Sequence, residues 1–97
     1  MRFDGSIEFI WDKGNQEKNW LKHQITNSES EEIFYDDQKI ILKDTIHSEK
    51  EDRFIILGGT KNSKLLFVAF TKRNNKIRII SARMADKKEK ILYEKNA

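Results

Sequence analysis

KIRIISAR, residues 76–83, decides how the rest of the chain is read. As an extended segment it puts Ile77, Ile79, Ser81 and Arg83 on one face and Arg78 on the other, and it then runs into the lysine-rich stretch MADKKEK. Three segments upstream have the same character: KIILKD (39–44), RFIILGG (53–59) and KLLFVAFT (64–71), all dense in β-branched and aromatic residues. The connections TKNSK and RNNK are hairpin chemistry, since Asn74 and Asn75 tolerate a left-handed backbone. Four strands so joined form an antiparallel meander. A helix over 85–95 closes the chain, with Glu89 and Tyr93 on one face and Ile91 and Leu92 pointing elsewhere.

The first part of the chain reads differently. SIEFIW (6–11) is a strand with Ile7, Phe9 and Trp11 on one face, and Asp12 caps a helix over 13–23. Asn19, Lys22 and His23 share a face of that helix. TNSESEEIFYDD (26–37) offers two overlapping capping boxes, Thr26 with Glu29 and Ser28 with Glu31, ahead of the apolar pair Ile33 and Phe34. The expected class is α+β: a meander sheet with two N-terminal helices and one C-terminal helix, helices on one face and the other face open.

Length and composition bound the possibilities. With 97 residues the chain is one domain, 1–97, burying roughly 60–65% of the surface exposed by its unfolded form. The absence of cysteine removes disulfides and cysteine-based zinc sites. No stretch has the apolar length of a membrane span, so a cytoplasmic protein is the default expectation. The net charge of +3 conceals a split: residues 1–52 carry −6 and residues 53–97 carry +9. Arg53, Arg73, Arg78 and Arg83 all lie in the cationic half, and a planar guanidinium fork suits phosphate.

FIWD (9–12), NWLKH (19–23), FYDD (34–37), IHSEKEDRFIILG (46–58), LLFVAFTKR (65–73) and IRIISARMADKKEKILYE (77–94) together resemble the BrnT family of type II toxin–antitoxin systems. The resemblance covers nearly the whole chain. It implies a RelE-like fold and a ribonuclease toxin that cleaves RNA and arrests growth. It also implies a cognate BrnA-like antitoxin that blocks the toxin and reaches operator DNA on behalf of the complex. Two residues depart from the family pattern. Lys13 replaces a proline, and Gln24 replaces a glycine that would cap the first helix in a left-handed conformation.

Metal-free RNA cleavage needs a base for the 2′-hydroxyl, cations for the charge developing on phosphorus, and an acid for the departing 5′-oxygen. His23 and His47 are the proton-transfer candidates by ordinary pKa. Lys22 is a base if neighbouring cations depress it and a phosphate contact otherwise. Arg73 and Arg83 are expected to grip phosphate, with Arg78 either gripping it too or pairing with an acid of the first half. Glu89 and Tyr93 reach the same surface from the last helix, Tyr93 either stacking on a base or packing its helix on the sheet. Arg53, Arg78, Lys72, Lys87 and Lys88 complete the candidates for holding RNA. Asp44, Glu49, Glu51 and Asp52 around His47 read as a solvated acidic loop, and neither a metal nor a cofactor is expected. The alternatives are a nucleic-acid-binding or corepressor module without catalysis, and an inactivated toxin.

Overall fold

The computed structural model describes residues 6–96. A five-stranded sheet has the order β1-β5-β4-β3-β2, built from β1 (Glu8–Ile10), β2 (Ile40–Asp44), β3 (Arg53–Gly59), β4 (Leu65–Arg73) and β5 (Lys76–Met84). Strands β2 to β5 form the expected antiparallel meander. The sheet as a whole is mixed, because β1 pairs with β5 in parallel, Phe9 opposite Ile77. The polypeptide leaves β1 through α1 (Lys18–His23) and α2 (Asn27–Glu32), which continues as a 3₁₀ turn over Ile33–Tyr35, and enters the meander at its far edge. That long crossover permits a parallel pairing that no hairpin could make. Among the described residues, no helix is long and apolar enough to cross a membrane.

One face of the sheet carries the core. Ile56, Leu66, Val68, Phe70, Ile77, Ile79 and Ala82 are buried with Ile25, Ile33 and Phe34 from the α1–α2 connection and the 3₁₀ turn. Phe34 packs edge-on against both Phe9 and Phe70. Gly58 lets the 3₁₀ turn approach: a Cβ there would lie 2.8 Å from Ile33 Cβ. At the next residue, Gly59, a Cβ would instead face the Tyr93 hydroxyl of α3 (Lys87–Lys95). Neighbouring strand residues point to opposite faces, so α3 covers one end of the second face, which is less open than the sequence suggests.

A β-bulge breaks the two-residue period of β5. Ile79 pairs with Phe70 but Ser81 pairs with Ala69, leaving Ile80 as the extra residue. Ile77, Ile79 and Ala82 therefore share the core face, and Arg78 and Arg83 share the other. The expected separation of these two arginines onto opposite faces is thus reversed.

Helix α1 begins five residues later than its pattern indicates. Asp12 builds a tight turn, accepting Gly14 N–H on Oδ1 and Asn15 and Gln16 N–H on its carbonyl. Glu17, with φ of 60°, then interrupts the helical run. Asn15 is diverted to the sheet, where its Nδ2 donates to Ile10 O at 2.8 Å and Ile79 O at 3.0 Å. Asn19 follows, its Oδ1 accepting Ala82 N–H at 2.8 Å. Both asparagines are buried. They complete the hydrogen bonding of the β5 edge where β1 has ended. Of the two capping boxes, Thr26 with Glu29 forms, whereas Glu31 accepts from Trp11 Nε1 at 2.6 Å. Asn74 and Asn75 are both left-handed, as their hairpin requires.

Gln24 is left-handed as well, with φ 55° and ψ 40°. Glycine there relieves a cost of about 1–2 kcal/mol and returns roughly half of it as unfolded-state entropy. Gln24→Gly is therefore expected to stabilise the protein by about 0.5–1 kcal/mol, read from urea unfolding.

Candidate nucleic-acid interface and active site

The second face of the sheet is organised in cross-strand rows. At one end Asp44, Arg53, Thr71 and Arg78 lie opposite one another across four strands. The next row is Leu42, Ile55, Ala69 and Ser81, and the third is Ile40, Leu57, Phe67 and Arg83. The two arginine-bearing rows are four strand residues apart, about 13 Å at the usual rise. This face offers a phosphate backbone cations at two positions with an apolar floor between them.

The first row is tied to the loop between β2 and β3, the HSEKEDR segment. Ser48 Oγ donates to Asp44 O and accepts Arg53 N–H at 3.0 Å. Thr71 Oγ1 donates to Asp52 O at 2.8 Å. Glu51 takes Arg73 in a two-bond fork, Nε to Oε2 at 3.1 Å and Nη2 to Oε1 at 2.8 Å, so its carboxyl sits below the usual range. Asp52 pairs with Lys43, and Asp44 accepts the His47 ring at 2.9 Å. Of the acids expected to form a solvated loop, three are thus engaged with named cations or the histidine. Of these four acids, only Glu49 is exposed with no side-chain ion pair or hydrogen bond among the described residues.

Arg78 meets an acid of the first half. Its Nη1 lies 2.6 Å from Asp12 Oδ2, and with a side chain only 15% exposed it is the most sheltered of the described arginines in ion pairs. The Arg78 hydrogen bond, helped by Gly14 N–H, holds the Asp12 carboxyl below its ordinary pKa. Arg83 forks onto Glu89, both bonds 2.8 Å, and its guanidinium lies 3.9 Å from the centre of the Phe67 ring. Arg53 makes no side-chain ion pair among the described residues. It lines a hollow of about 380 Å³ with His47, Lys50 and Glu51.

The predicted site residues therefore form two groups at opposite ends of the sheet. His47, Arg53, Arg73 and Arg78 gather at the β2–β3 end, and Arg83, Glu89 and Tyr93 at the other. Lys22 and His23 stand exposed one turn beyond Asn19, alongside the Arg83 half of β5. Lys72, Lys87 and Lys88 are exposed. Among the described residues, no three His, Asp or Glu side chains are grouped to hold a metal. A larger cleft of about 610 Å³ lies at the Tyr93 end, but Glu31, Glu32 and Asp36 line it against a single Lys61, the wrong sign for a phosphate chain.

Residues 11–89 match the family model described as the ribonuclease toxin BrnT of type II toxin–antitoxin systems. The chain belongs to the BrnT family. Its family is thus one of ribonuclease toxins whose type II systems pair each toxin with a protein antitoxin. A search of curated proteins finds no match. Two partners in this BrnT-family site were not picked out from sequence, Asp12 for Arg78 and Asp44 for His47. Asp12 was masked by its role in starting the α1 segment. The Asp44–His47 spacing of three residues across a turn was the available signal for the second.

Tyr93 is bound at its hydroxyl by Asp36, which also accepts Gly59 N–H at 2.8 Å. Burial, reinforced by the hydrogen bond to Asp36, pushes the phenol up to about 12. For Asp36 burial acts upward, but the bonds from Tyr93, Gly59 and Gln38 outweigh it and hold the carboxylate low. A phenol so held ties α3 to the sheet and is a poor proton acceptor. Because its folded pKa is raised above 10.0, its stabilising contribution is complete below pH 10 and disappears as pH climbs toward 12. Tyr93→Phe is expected to cost about 1–2 kcal/mol at neutral pH and to flatten the alkaline fall in stability between pH 10 and 12, followed by urea titration.

Proposed function

We propose that this BrnT-family chain is an endoribonuclease toxin that cuts RNA without a metal, with the reaction centred at the β2–β3 end of the sheet. The observation that carries this reading is the hollow that His47 shares with the unpaired guanidinium of Arg53. A proton acceptor stands there beside a cation free to take a phosphate. His47 removes the 2′-hydroxyl proton, Arg53 holds the non-bridging oxygens, and the 5′-oxygen leaves with a proton from solvent. Arg73 and Arg78, each already ion-paired, shape the rim and add positive field. Arg83, in the row about 13 Å further along the strands, contacts a neighbouring stretch of backbone, with Lys22, His23, Lys72, Lys87 and Lys88 as outer contacts and Glu89 holding Arg83 in place. The product is arrested translation and growth in the cytoplasm. A BrnA-like antitoxin restrains the toxin and carries the pair to operator DNA, and the family likeness supports a RelE-like fold.

A second reading draws on the pairing of Arg73, Arg78 and Arg83 with the chain's own acids. Cations neutralised this way suit a binding or corepressor module, or an inactivated toxin, better than a strong catalyst.

Total RNA incubated with the protein in EDTA at low salt, then run on a denaturing gel, separates the two. The catalytic reading expects fragments from wild type, a loss of about 10²–10⁴-fold in rate for His47→Ala and about 100-fold for Arg53→Ala. Arg83→Ala is expected to raise KM with little change in kcat. Intact RNA with folded wild-type protein favours the binding module.

A further inference from the structure

Asp44 ends β2 and lies directly opposite Arg53 in the β2–β3 register. Its carboxylate engages one residue twice: Oδ1 accepts the His47 backbone N–H at 3.3 Å and Oδ2 lies 2.9 Å from His47 Nδ1. Its carbonyl accepts Ser48 Oγ, and Ser48 Oγ in turn accepts Arg53 N–H. The side chain of Asp44 is 17% exposed and that of His47 62%, so the anchor is sheltered and the ring accessible.

We infer that Asp44 is a positioning residue for RNA cleavage, fixing the His47 imidazole as the Nδ1–H tautomer and setting its place relative to the Arg53 guanidinium. The inference rests on the assignment of His47 as the base. An ionised carboxylate has no proton to give, so the contact with Nδ1 requires that nitrogen to donate. The hydrogen bond with His47 is also the main reason the Asp44 carboxyl sits below its ordinary pKa, which keeps it ionised at neutral pH. Nε2 is then left with the lone pair. In the step itself the 2′-hydroxyl proton passes to Nε2, the O2′–P bond forms and the P–O5′ bond breaks. The 5′-oxygen is protonated by solvent, leaving a 2′,3′-cyclic phosphate and a 5′-hydroxyl. Asp44 stays a carboxylate throughout and stabilises the imidazolium that forms.

The charged groups facing His47 are Asp44 at the end of β2, Glu49, Lys50 and Glu51 from the loop, and Arg53 from β3. Asp44→Asn keeps the size of the side chain but offers an amide that can donate to Nδ1 and stabilise the wrong tautomer. With a synthetic single-stranded RNA, Asp44→Asn is expected to lower kcat about 100-fold at little change in KM. In a His47→Ala background the same change should cost nothing more. Nitrogen NMR of the His47 ring reads the tautomer directly, Nδ1–H in wild type and Nε2–H in Asp44→Asn, with thermal melting confirming that both are folded. Wild-type cleavage by Asp44→Asn alongside an inactive His47→Ala overturns the role of Asp44 while leaving the base in place, as does an unchanged tautomer. Full activity of His47→Ala overturns the base assignment and this role with it.

Discussion

The exposed backbone edge of β5 is the constraint around which the N-terminal third is arranged. Strand β1 covers only its beginning, through Arg78. The bulge at Ile80 then disturbs the strand just where the edge becomes free. A buried carbonyl or N–H without a partner costs about 1–3 kcal/mol, so Ile79 O and Ala82 N–H have to be met. Asn15 and Asn19 meet them from a turn and a short helix. That requirement draws the chain after Asp12 against the sheet, brings Asp12 onto Arg78, and sets Lys22 and His23 beyond the Arg83 end.

The charge asymmetry between the two halves of the sequence is resolved by the fold into pairs. Glu51 takes Arg73, Asp12 takes Arg78, Glu29 takes Lys64 and Glu8 takes Lys76. Each joins an acid of the first half to a cation of the second. Several are exposed and contribute little to stability singly. Their effect is on which cations are left over. Among the described residues Arg53 is left without a side-chain ion pair beside His47, while a sequence count treats the arginines as equivalent.

Much of this was readable in advance, for local reasons. The four meander strands and the Asn74–Asn75 hairpin follow from side-chain period and turn chemistry, and the family could be recognised from six short blocks spread along the chain. What escaped was non-local. The bulge hides because Ile77, Ile79, Ser81 and Arg83 keep an unbroken alternation in sequence, and only the pairing with β4 shows that one residue is skipped. The parallel seat of β1 depends on where a long crossover returns. The choice of Asp12 by Arg78 joins residues 66 apart in sequence, and nothing local to either one marks the other as its partner. The role of Asp44 was obscured by its setting: four acids in one loop look alike until their partners are known.

The two asparagines have one more effect, on how copies of the chain meet. A free strand edge is a template on which a second molecule can lay its own strand, the first step toward aggregates. Beyond Ile10 the edge of β5 presents amide side chains already bonded, so an incoming strand finds its donors and acceptors taken. The opposite edge, β2, is protected by other means: it is five residues long and carries the exposed Lys43 one residue from its end. A sheet this small keeps its edges from recruiting neighbours with two buried amides on one side and a short, charged strand on the other.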